Sequence, residues 1–294
     1  MTNLTRSLSG ELRCRQIDKA DVEAVASLLA RGFPAYDRGF WVGAFARLTE
    51  HTSPPGYPKY GYLLEYERGA VGAILLICST LPADGFAATR CNLSSWYVEP
   101  RFRAYAPMLV SQALRHKEVT YLNISPAPHT GPIVEAQGFS RYCEGTFVAV
   151  PSLNGLFERR AVEIMQGDQQ PGVEYNPLER ELLIRHQAFG CISVWCATSK
   201  RAHGFVFRHS RMRFGIPSAR LIYCRDIADF VRFAGPLGRF LARRGRMLVA
   251  VDANEPIAGL TGIFRHGNMP KYFKGPQRPR LGDIAYTEYA ILGV

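Results

Sequence analysis

The chain has 294 residues, of which 47% are hydrophobic and 21% are charged. These proportions are typical of a globular protein, and they exclude wholesale disorder, a collagen-like repeat and a coiled coil. The formal net charge of +11 is unevenly distributed, because residues 1–150 hold 15 Lys+Arg and 13 Asp+Glu, whereas residues 151–294 hold 21 and 12. The second half therefore carries +9 against +2 for the first, which favours anionic partners, small or macromolecular.

Membrane spans and metal sites are not predicted. The longest apolar runs, such as residues 71–78, are far shorter than the roughly 20 residues of a membrane-spanning helix. Residues 1–18 include charged side chains before any apolar stretch of signal-peptide length, so a cytoplasmic protein is expected. The cysteines form no C-x-x-C pair and have no zinc-site spacing, so we expect free thiols and no disulfide. They are Cys14, Cys78, Cys91, Cys143, Cys191, Cys196 and Cys224.

Hydrophobic periodicity in residues 1–150 predicts ten elements in the order β-α-α-β-β-β-α-β-α-β. A breaker-rich loop at 51–61 separates the first two helices from the sheet, and Gly69 is expected to supply the turn of a hairpin. The predicted elements are a strand at 11–17, helices at 20–33 and 37–50, a hairpin at 61–81, a strand at 91–98, a helix at 107–117, a strand at 118–125, a short helix within 126–139 and a strand at 140–150.

The rest of the chain is predicted to contain a helical connector, residues 151–185, and a second α/β domain, residues 186–294. The second domain repeats part of the order of the first: a hairpin at 190–214, a strand at 217–225, a helix at 226–245 and a strand at 246–253. Short anchors support an internal duplication. Tyr97-Val98-Glu99 matches Tyr223-Cys224-Arg225, and 141–145 matches 271–275.

The C-terminal tail alternates in character, with Ile284, Tyr286 and Glu288 on one side and Ala285, Thr287 and Tyr289 on the other. Strict alternation is typical of a strand. Four cations precede it within residues 270–283. The tail is expected either to line a groove between the two halves or to be an ordinary strand that follows a basic turn.

Two motifs in residues 11–150 resemble those of the GNAT acyltransferase superfamily. Residues 94–114, SSWYVEPRFRAYAPMLVSQAL, are similar to the family's strand, V-x-P, Q/R-x-x-G-x-G/A and helix, and 133–139, IVEAQGF, resembles x-x-E-x-x-G-F. The resemblance implies an α/β (α+β) chain of two GNAT-like mixed central sheets flanked by helices, with residues 1–150 as the first GNAT-like domain. Ala106 and Met108 depart from the pattern, since the family has small glycine-like residues there.

The resemblance also implies acetyl-CoA or another acyl-CoA as co-substrate. In the family, glycine backbone N–H groups and a helix N-terminus close around the pyrophosphate, and the pantetheine pairs like an extra strand between two splayed strands. The residues expected to bind acyl-CoA lie at the end of the strand and in the turn after it. They are Tyr97, Val98, Arg101, Arg103, Ala104, Tyr105 and Ala106.

The resemblance places a general base near the end of this strand, where Glu99 stands. A shielded carboxylate can accept the proton of an attacking amine. The family often has a tyrosine four residues before the G-F glycine as the acid that protonates the thiolate, but Val134 occupies that position here. His129 and Tyr142 are the candidate replacements. Glu99 can equally be a solvated strand-end carboxylate, and His129 a loop or capping residue.

In the second half, Gly235 and Gly238 are candidates to admit a phosphate, or else mark a helix kink at Gly235-Pro236. The cations that would then hold the phosphate are Arg225, Arg232, Arg239 and Arg243.

Three functions compete at this point. The first is transfer of an acyl group from acyl-CoA to a small-molecule or peptide amine by direct attack. The second is a transferase whose donor is an acidic acyl carrier protein or an aminoacyl-tRNA, since Fem-type aminoacyl transferases resemble tandem GNAT halves. The third is a non-catalytic GNAT-like binding protein. The chain has no helix-turn-helix, zinc-finger or RNP-type motif, which disfavours nucleic acid as a partner.

Overall fold

The computed structural model describes residues 11–83, 86–127, 130–154 and 162–293. Within these residues the chain forms twelve strands and eight α-helices of a mixed α+β fold. It divides into two compact units. The first takes in residues up to Leu81 together with Ala87–Tyr121, and the second Pro82–Phe86 together with Leu122–Val294. None of the described helices is long and apolar enough to span a bilayer.

The first unit follows the predicted order of elements. Its strands lie in the order β1-β2-β3-β4-β5, and β1 pairs antiparallel with β2, as β2 does with β3. The strands are β1 (Leu12–Gln16), β2 (Gly61–Tyr66), β3 (Gly69–Ala83), β4 (Phe86–Val98) and β5 (Thr120–Asn123), and the helices are α1 (Val22–Gly32), α2 (Arg38–Glu50) and α3 (Ala106–Ala113).

Local chemistry accounts for the first-unit helices and for one correction. Helix α1 buries Val25, Ala26, Leu28 and Leu29, the apolar face that its periodicity predicts. Helix α2 is capped by Asp37, whose side chain accepts a hydrogen bond from the Phe40 N–H at 2.7 Å. In the β2–β3 hairpin the left-handed residues are Glu67 (φ 48°) and Arg68 (φ 64°) rather than Gly69, so the expectation that Gly69 supplies the turn is wrong.

The expectation of seven free thiols is also wrong. Cys78 on β3 and Cys91 on β4 form a disulfide with a Cα–Cα distance of 4.0 Å, and both residues are buried. The pairing depends on how two neighbouring strands face each other, which cysteine spacing does not reveal. The other five cysteines are free, as expected.

The second unit is a mixed sheet with strand order β12-β6-β11-β10-β9-β8-β7. Strands β10 and β11 are parallel, whereas β6, β9 and β12 pair antiparallel with their neighbours. The strands are β6 (Ser140–Ala149), β7 (Glu163–Gln166), β8 (Ile192–Ala197), β9 (Ala202–Arg211), β10 (Pro217–Cys224), β11 (Leu248–Ala253) and β12 (Gly262–Lys274). The helices are α4 (Gly131–Ala136), α5 (Pro177–Ala188), α6 (Ile227–Arg232), α7 (Ala234–Ala242) and α8 (Glu288–Ile291).

Three expectations about chain organisation need correction. The first unit does not end at residue 150, because β6 is hydrogen-bonded on one side to β11 and on the other to β12. The connector 151–185 is not simply helical, since it contains strand β7. The tail is not a strand, because Tyr286 has a left-handed φ of 55° and the chain then forms α8. Its contacts with residues distant in sequence, which an alternating pattern does not reveal, determine this conformation.

The predicted duplication matches part of the order of elements. Strand β4, helix α3 and strand β5 follow each other as β10, α6–α7 and β11 do, but α4 lies between β5 and β6, whereas the described residues 254–261 between β11 and β12 contain no α-helix. Both anchor triplets stand where a strand ends, at Val98 in β4 and at Cys224 in β10.

Gly235 and Gly238 allow close packing of helix α7 and do not form a phosphate loop. Both are buried in α7, and a Cβ on either would overlap backbone atoms of residues 151–154. The expectation that they admit a phosphate is therefore wrong, and the close approach of two backbones explains why glycine stands at both positions.

We expect Gly238→Ala to lower the free energy of unfolding by about 1–3 kcal/mol, because the methyl group would displace the backbone at Ser152. Helix propensity alone predicts the opposite, a gain of about 1 kcal/mol, so the sign of the change is decisive. The control is Gly172→Ala, since no atom lies within 4 Å of a Cβ there. Urea unfolding of the two variants measures the difference, and equal stability would contradict the packing role.

Candidate active site

Most of the predicted site residues lie at the end of strand β4 and in the turn that follows it. Ser95, three residues before the strand ends, has a left-handed φ of 51°. A non-glycine residue in this region costs of order 1 kcal/mol and typically marks a bulge that interrupts a strand ladder. Beyond it, the Glu99 N–H donates to the Val71 carbonyl at 2.9 Å, which keeps this end of β4 against β3.

Tyr97 and Val98 fix the strand end by packing. The Val98 side chain is buried and lies against Gly72 of β3. The Tyr97 ring lies over Gly32 at the end of α1, where a Cβ would overlap it, and stands edge-on to Phe33 at 6.3 Å between ring centres. Helix α1 and strand β4 therefore hold each other in place next to Glu99.

Glu99 is paired with a cation that the sequence reading did not identify. Its carboxylate accepts a hydrogen bond from Arg31 Nη2 at 2.7 Å, and Arg31 lies in the last turn of α1. The Glu99 side chain is 28% exposed and that of Arg31 55%. The carboxylate is thus oriented yet accessible, and an incoming ammonium group would compete with the guanidinium for it.

An aromatic cluster adjoins this strand end. Phe33 lies 5.6 Å from Trp41, and Tyr36 stacks on Phe40 at 4.4 Å. Trp41 is buried, whereas Phe33, Tyr36 and Phe40 are only partly buried. The predicted helices at 20–33 and 37–50 include Phe33, Phe40 and Trp41, but the cluster itself was not predicted, although the spacing F-x-x-Y-x-x-x-F-W at 33–41 was a usable signal.

The predicted phosphate-binding turn folds as a 3₁₀ helix, Pro100–Tyr105, that leads directly into α3. Phe102 is buried and anchors the turn, while Arg101, Arg103 and Ala104 are exposed and Tyr105 is partly buried. The Ala106 N–H donates to the Arg103 carbonyl. The expectation that this amide is available to a phosphate is therefore wrong, because Ala106 replaces the family's glycine pattern with helical backbone. The exposed guanidinium groups of Arg101 and Arg103 are available as donors, and phosphate binding by the Ala104 and Tyr105 amides stays a prediction.

In the second unit, β10 and β11 stand in the places of β4 and β5, and their backbone hydrogen bonds show where these two strands separate. Strands β10 and β11 are in parallel register only from Ser218–Leu248 to Arg220–Ala250. Beyond that point the Cys224 N–H donates to the Gly282 carbonyl at 2.8 Å, and the Ile284 N–H donates to the Ile222 carbonyl at 2.9 Å. Strand β9 occupies the other edge of β10. Residues 282–284 therefore lie on the β11-facing edge, where the two strands separate.

Side chains on both sides hold this segment. Arg280 donates to the carbonyls of Cys224 and Arg225 and lies 5.1 Å from the centre of the Tyr223 ring. The Tyr286 N–H donates to Nε2 of the fully buried His186 at 3.1 Å, so the proton of this imidazole is on Nδ1, which donates to the Leu182 carbonyl at 2.8 Å. The segment is part of the folded core of the unit.

A buried charge cluster lies beside the same segment. The Lys271 ammonium, fully buried, is 2.8 Å from Asp252 Oδ1, and Arg220 Nη1 is 3.0 Å from the same oxygen. Both cations lie over the Tyr289 ring of α8, at 6.0 and 5.0 Å from its centre. Two cations that share one carboxylate gain further stabilisation from the electron-rich ring face. The tail's aromatic residue therefore completes the cluster.

The remaining described candidates belong to the second unit. Tyr142 is buried in β6 of the second unit, where its ring lies 6.0 Å from Phe273 and its carbonyl accepts from Asn254 Nδ2. His129 lies outside the described residues. Arg225 is paired with the buried Glu179 at 2.8 Å, while Arg232, Arg239 and Arg243 are exposed.

No protein-family model matches the sequence, and no curated protein matches it either. Solved structures do match. A candidate acetyltransferase from Pyrococcus horikoshii aligns over 99% of this chain and 98% of its own, with 12% identity and a TM-score of 0.59. A GCN5-related N-acetyltransferase from Anabaena variabilis aligns over 94% of this chain and 74% of its own, with 11% identity and a TM-score of 0.58.

A GCN5-related N-acetyltransferase from Kribbella flavida aligns over 92% of this chain and 72% of its own, with 14% identity and a TM-score of 0.57. At these identities the likeness is one of fold. The chain has the fold of the GCN5-related N-acetyltransferases, as the motifs at 94–114 and 133–139 indicate.

Proposed function

We propose that this protein is an acyltransferase that moves an acyl group from acyl-CoA to an amine, and that the acyl-CoA binds to the first unit. One observation carries the choice of unit. In the second unit, residues 282–284 already occupy the diverging edge of β10, the position that a pantetheine chain takes in the family. A strand edge accepts one partner, so the tail and a pantetheine exclude each other.

The first unit supplies what the donor requires. Arg101 and Arg103 are exposed directly after the strand end and present guanidinium groups to the CoA phosphates. Ser95 stands just before that end with a left-handed φ of 51°, a backbone conformation typical of a bulge. Because the Ala106 amide already donates to the Arg103 carbonyl, the arginine side chains carry more of the phosphate binding than is usual in the family.

The reaction needs a single displacement. The amine nitrogen attacks the thioester carbonyl, the C–N bond forms, the C–S bond breaks, and CoA leaves as the thiolate. Glu99 accepts the proton that the amine loses, and Arg31, 2.7 Å away, orients the carboxylate. The neighbouring cluster of Phe33, Tyr36 and Phe40 favours an acceptor with an apolar or cationic group, since aromatic faces attract both.

We expect the double variant Arg101→Ala/Arg103→Ala to weaken acetyl-CoA binding by at least about tenfold, because a charge-assisted hydrogen bond contributes roughly 1.5–3 kcal/mol. Isothermal titration calorimetry with CoA, acetyl-CoA and longer acyl-CoAs measures the dissociation constants. The matched control is Arg232→Ala/Arg239→Ala, which removes two exposed arginines of the second unit. Weaker binding in the control than in the first variant would move the donor to the second unit, and no binding by the wild type would contradict the proposal.

We expect Glu99→Gln to lower kcat by about 10²- to 10⁴-fold and to leave the dissociation constant of acetyl-CoA unchanged, because the amide cannot accept the amine proton. Thiol release from acetyl-CoA with a panel of primary amines gives kcat. If Glu99→Gln keeps the full kcat of the wild type, Glu99 is not the general base. Wild-type protein that binds acyl-CoA but turns over no amine would favour a binding protein instead.

A further inference from the structure

Two turns of the second unit form one exposed edge. The β9–β10 turn spans residues 212–216, and residues 243–247 connect α7 to β11. Because Ser218 is in register with Leu248 in parallel strands, the residues just before them, including Ile216 and Met247, lie at the same end of the sheet. We call this region the arginine edge. It consists of Arg211, Arg213, Phe214, Ile216, Arg243, Arg244, Arg246 and Met247.

Large apolar side chains project from the arginine edge into solvent. Phe214 is 87% exposed, Met247 60% and Ile216 47%. Phe214 also has a left-handed φ of 62°, a conformation that a phenylalanine adopts only at a cost. The chain therefore holds a strained backbone at the tip of a turn to present an aromatic ring that packs against little of its own core. Such exposure on a folded unit indicates a binding surface.

The sequence around both turns is rich in arginine and contains no acidic residue. Within the described part of the chain, none of the five arginines of the edge is in an ion pair. Residues 182–225 and 230–251 contain no Asp or Glu. The pKa of the neighbouring His209 is lowered by its burial and further by the charges of Arg246 and Arg208, which reflects the same positive field. The edge accounts for much of the second half's excess charge.

We propose that the arginine edge binds the surface of an anionic lipid bilayer, with Phe214, Ile216 and Met247 entering the boundary between headgroups and acyl chains. The bilayer supplies both things that the edge lacks: negative charge for the guanidinium groups and an apolar phase that admits a projecting ring without a shaped pocket. Cations surround the apolar tip, the arrangement that lets the tip enter while the charges stay at the headgroups.

Other occupants fit less well. A second copy that docked through the same edge would bring arginine against arginine. A nucleic acid would use the guanidinium groups, but it gains little from Ile216 and Met247, since aliphatic side chains do not stack on bases as aromatic ones do. Membrane binding by this surface does not depend on acyl transfer, so the two proposals are tested independently.

The test is co-sedimentation of the full chain with large vesicles of phosphatidylcholine containing about 30% phosphatidylglycerol, compared with pure phosphatidylcholine. We expect binding to the anionic vesicles alone, and at least tenfold weaker binding when salt rises from about 0.1 M to about 0.5 M. Phe214→Ser/Met247→Ser should weaken binding at least about tenfold, since two buried apolar side chains are lost. Arg213→Ala/Arg243→Ala should likewise weaken binding at least about tenfold relative to the wild type, because each arginine contributes roughly fivefold.

Two matched controls separate this surface from general charge. Ile263→Ser removes a side chain that is 67% exposed on β12, and Arg265→Ala/Arg278→Ala removes two exposed arginines outside the arginine edge. Both should bind as the wild type does, with thermal unfolding used to check that every variant folds. The proposal is overturned if the wild type does not bind, if Phe214→Ser/Met247→Ser binds equally well, or if a single-stranded RNA competes the protein off the vesicles through the same residues.

Discussion

The backbone of β10 has hydrogen-bonding groups on two edges, and both must be paired where the strand is buried. Strand β9 pairs with one edge from Pro217 to Cys224, with a register shift between Leu221 and Tyr223. The other edge pairs with β11 for only three residues, after which the amide of Cys224 and the carbonyl of Ile222 are paired with residues 282–284. An unpaired buried peptide group costs about 1–3 kcal/mol. By pairing with these groups, the tail removes that cost where β10 and β11 separate.

The difference between the two units follows from that pairing. The second unit has fixed its tail with Arg280 on the strand-end carbonyls, with His186 on the Tyr286 amide and with the Tyr289 ring over Lys271 and Arg220. The first unit instead places exposed arginines after the strand end and an ion-paired carboxylate at it. One fold therefore supports a structural role in one unit and a proposed catalytic role in the other.

Sequence pattern predicted what depends on local order. The ten elements of residues 11–150 occur as expected, because the spacing of apolar residues along the sequence, every second residue in a strand or every three to four in a helix, shows which face is buried. Long-range pairings were out of reach: the Cys78–Cys91 disulfide, the Arg31–Glu99 ion pair and the pairing of Ile222 with Ile284 all depend on strands and helices meeting in space. The tail shows the same limit, since its alternation predicts a strand while its partners impose α8. At Gly238 the backbone of Ser152, distant in sequence, decides the residue.

Hydrogen–deuterium exchange of the intact protein with and without acetyl-CoA tests the assignment of the two units most directly. We expect slower exchange at residues 95–106 when acetyl-CoA is present, and no change at residues 220–225 and 282–292, where the Cys224 and Ile284 amides are already paired in the free protein. Ligand-induced protection at residues 220–225, together with faster exchange of residues 282–292, would show that acetyl-CoA displaces the tail and would contradict the account.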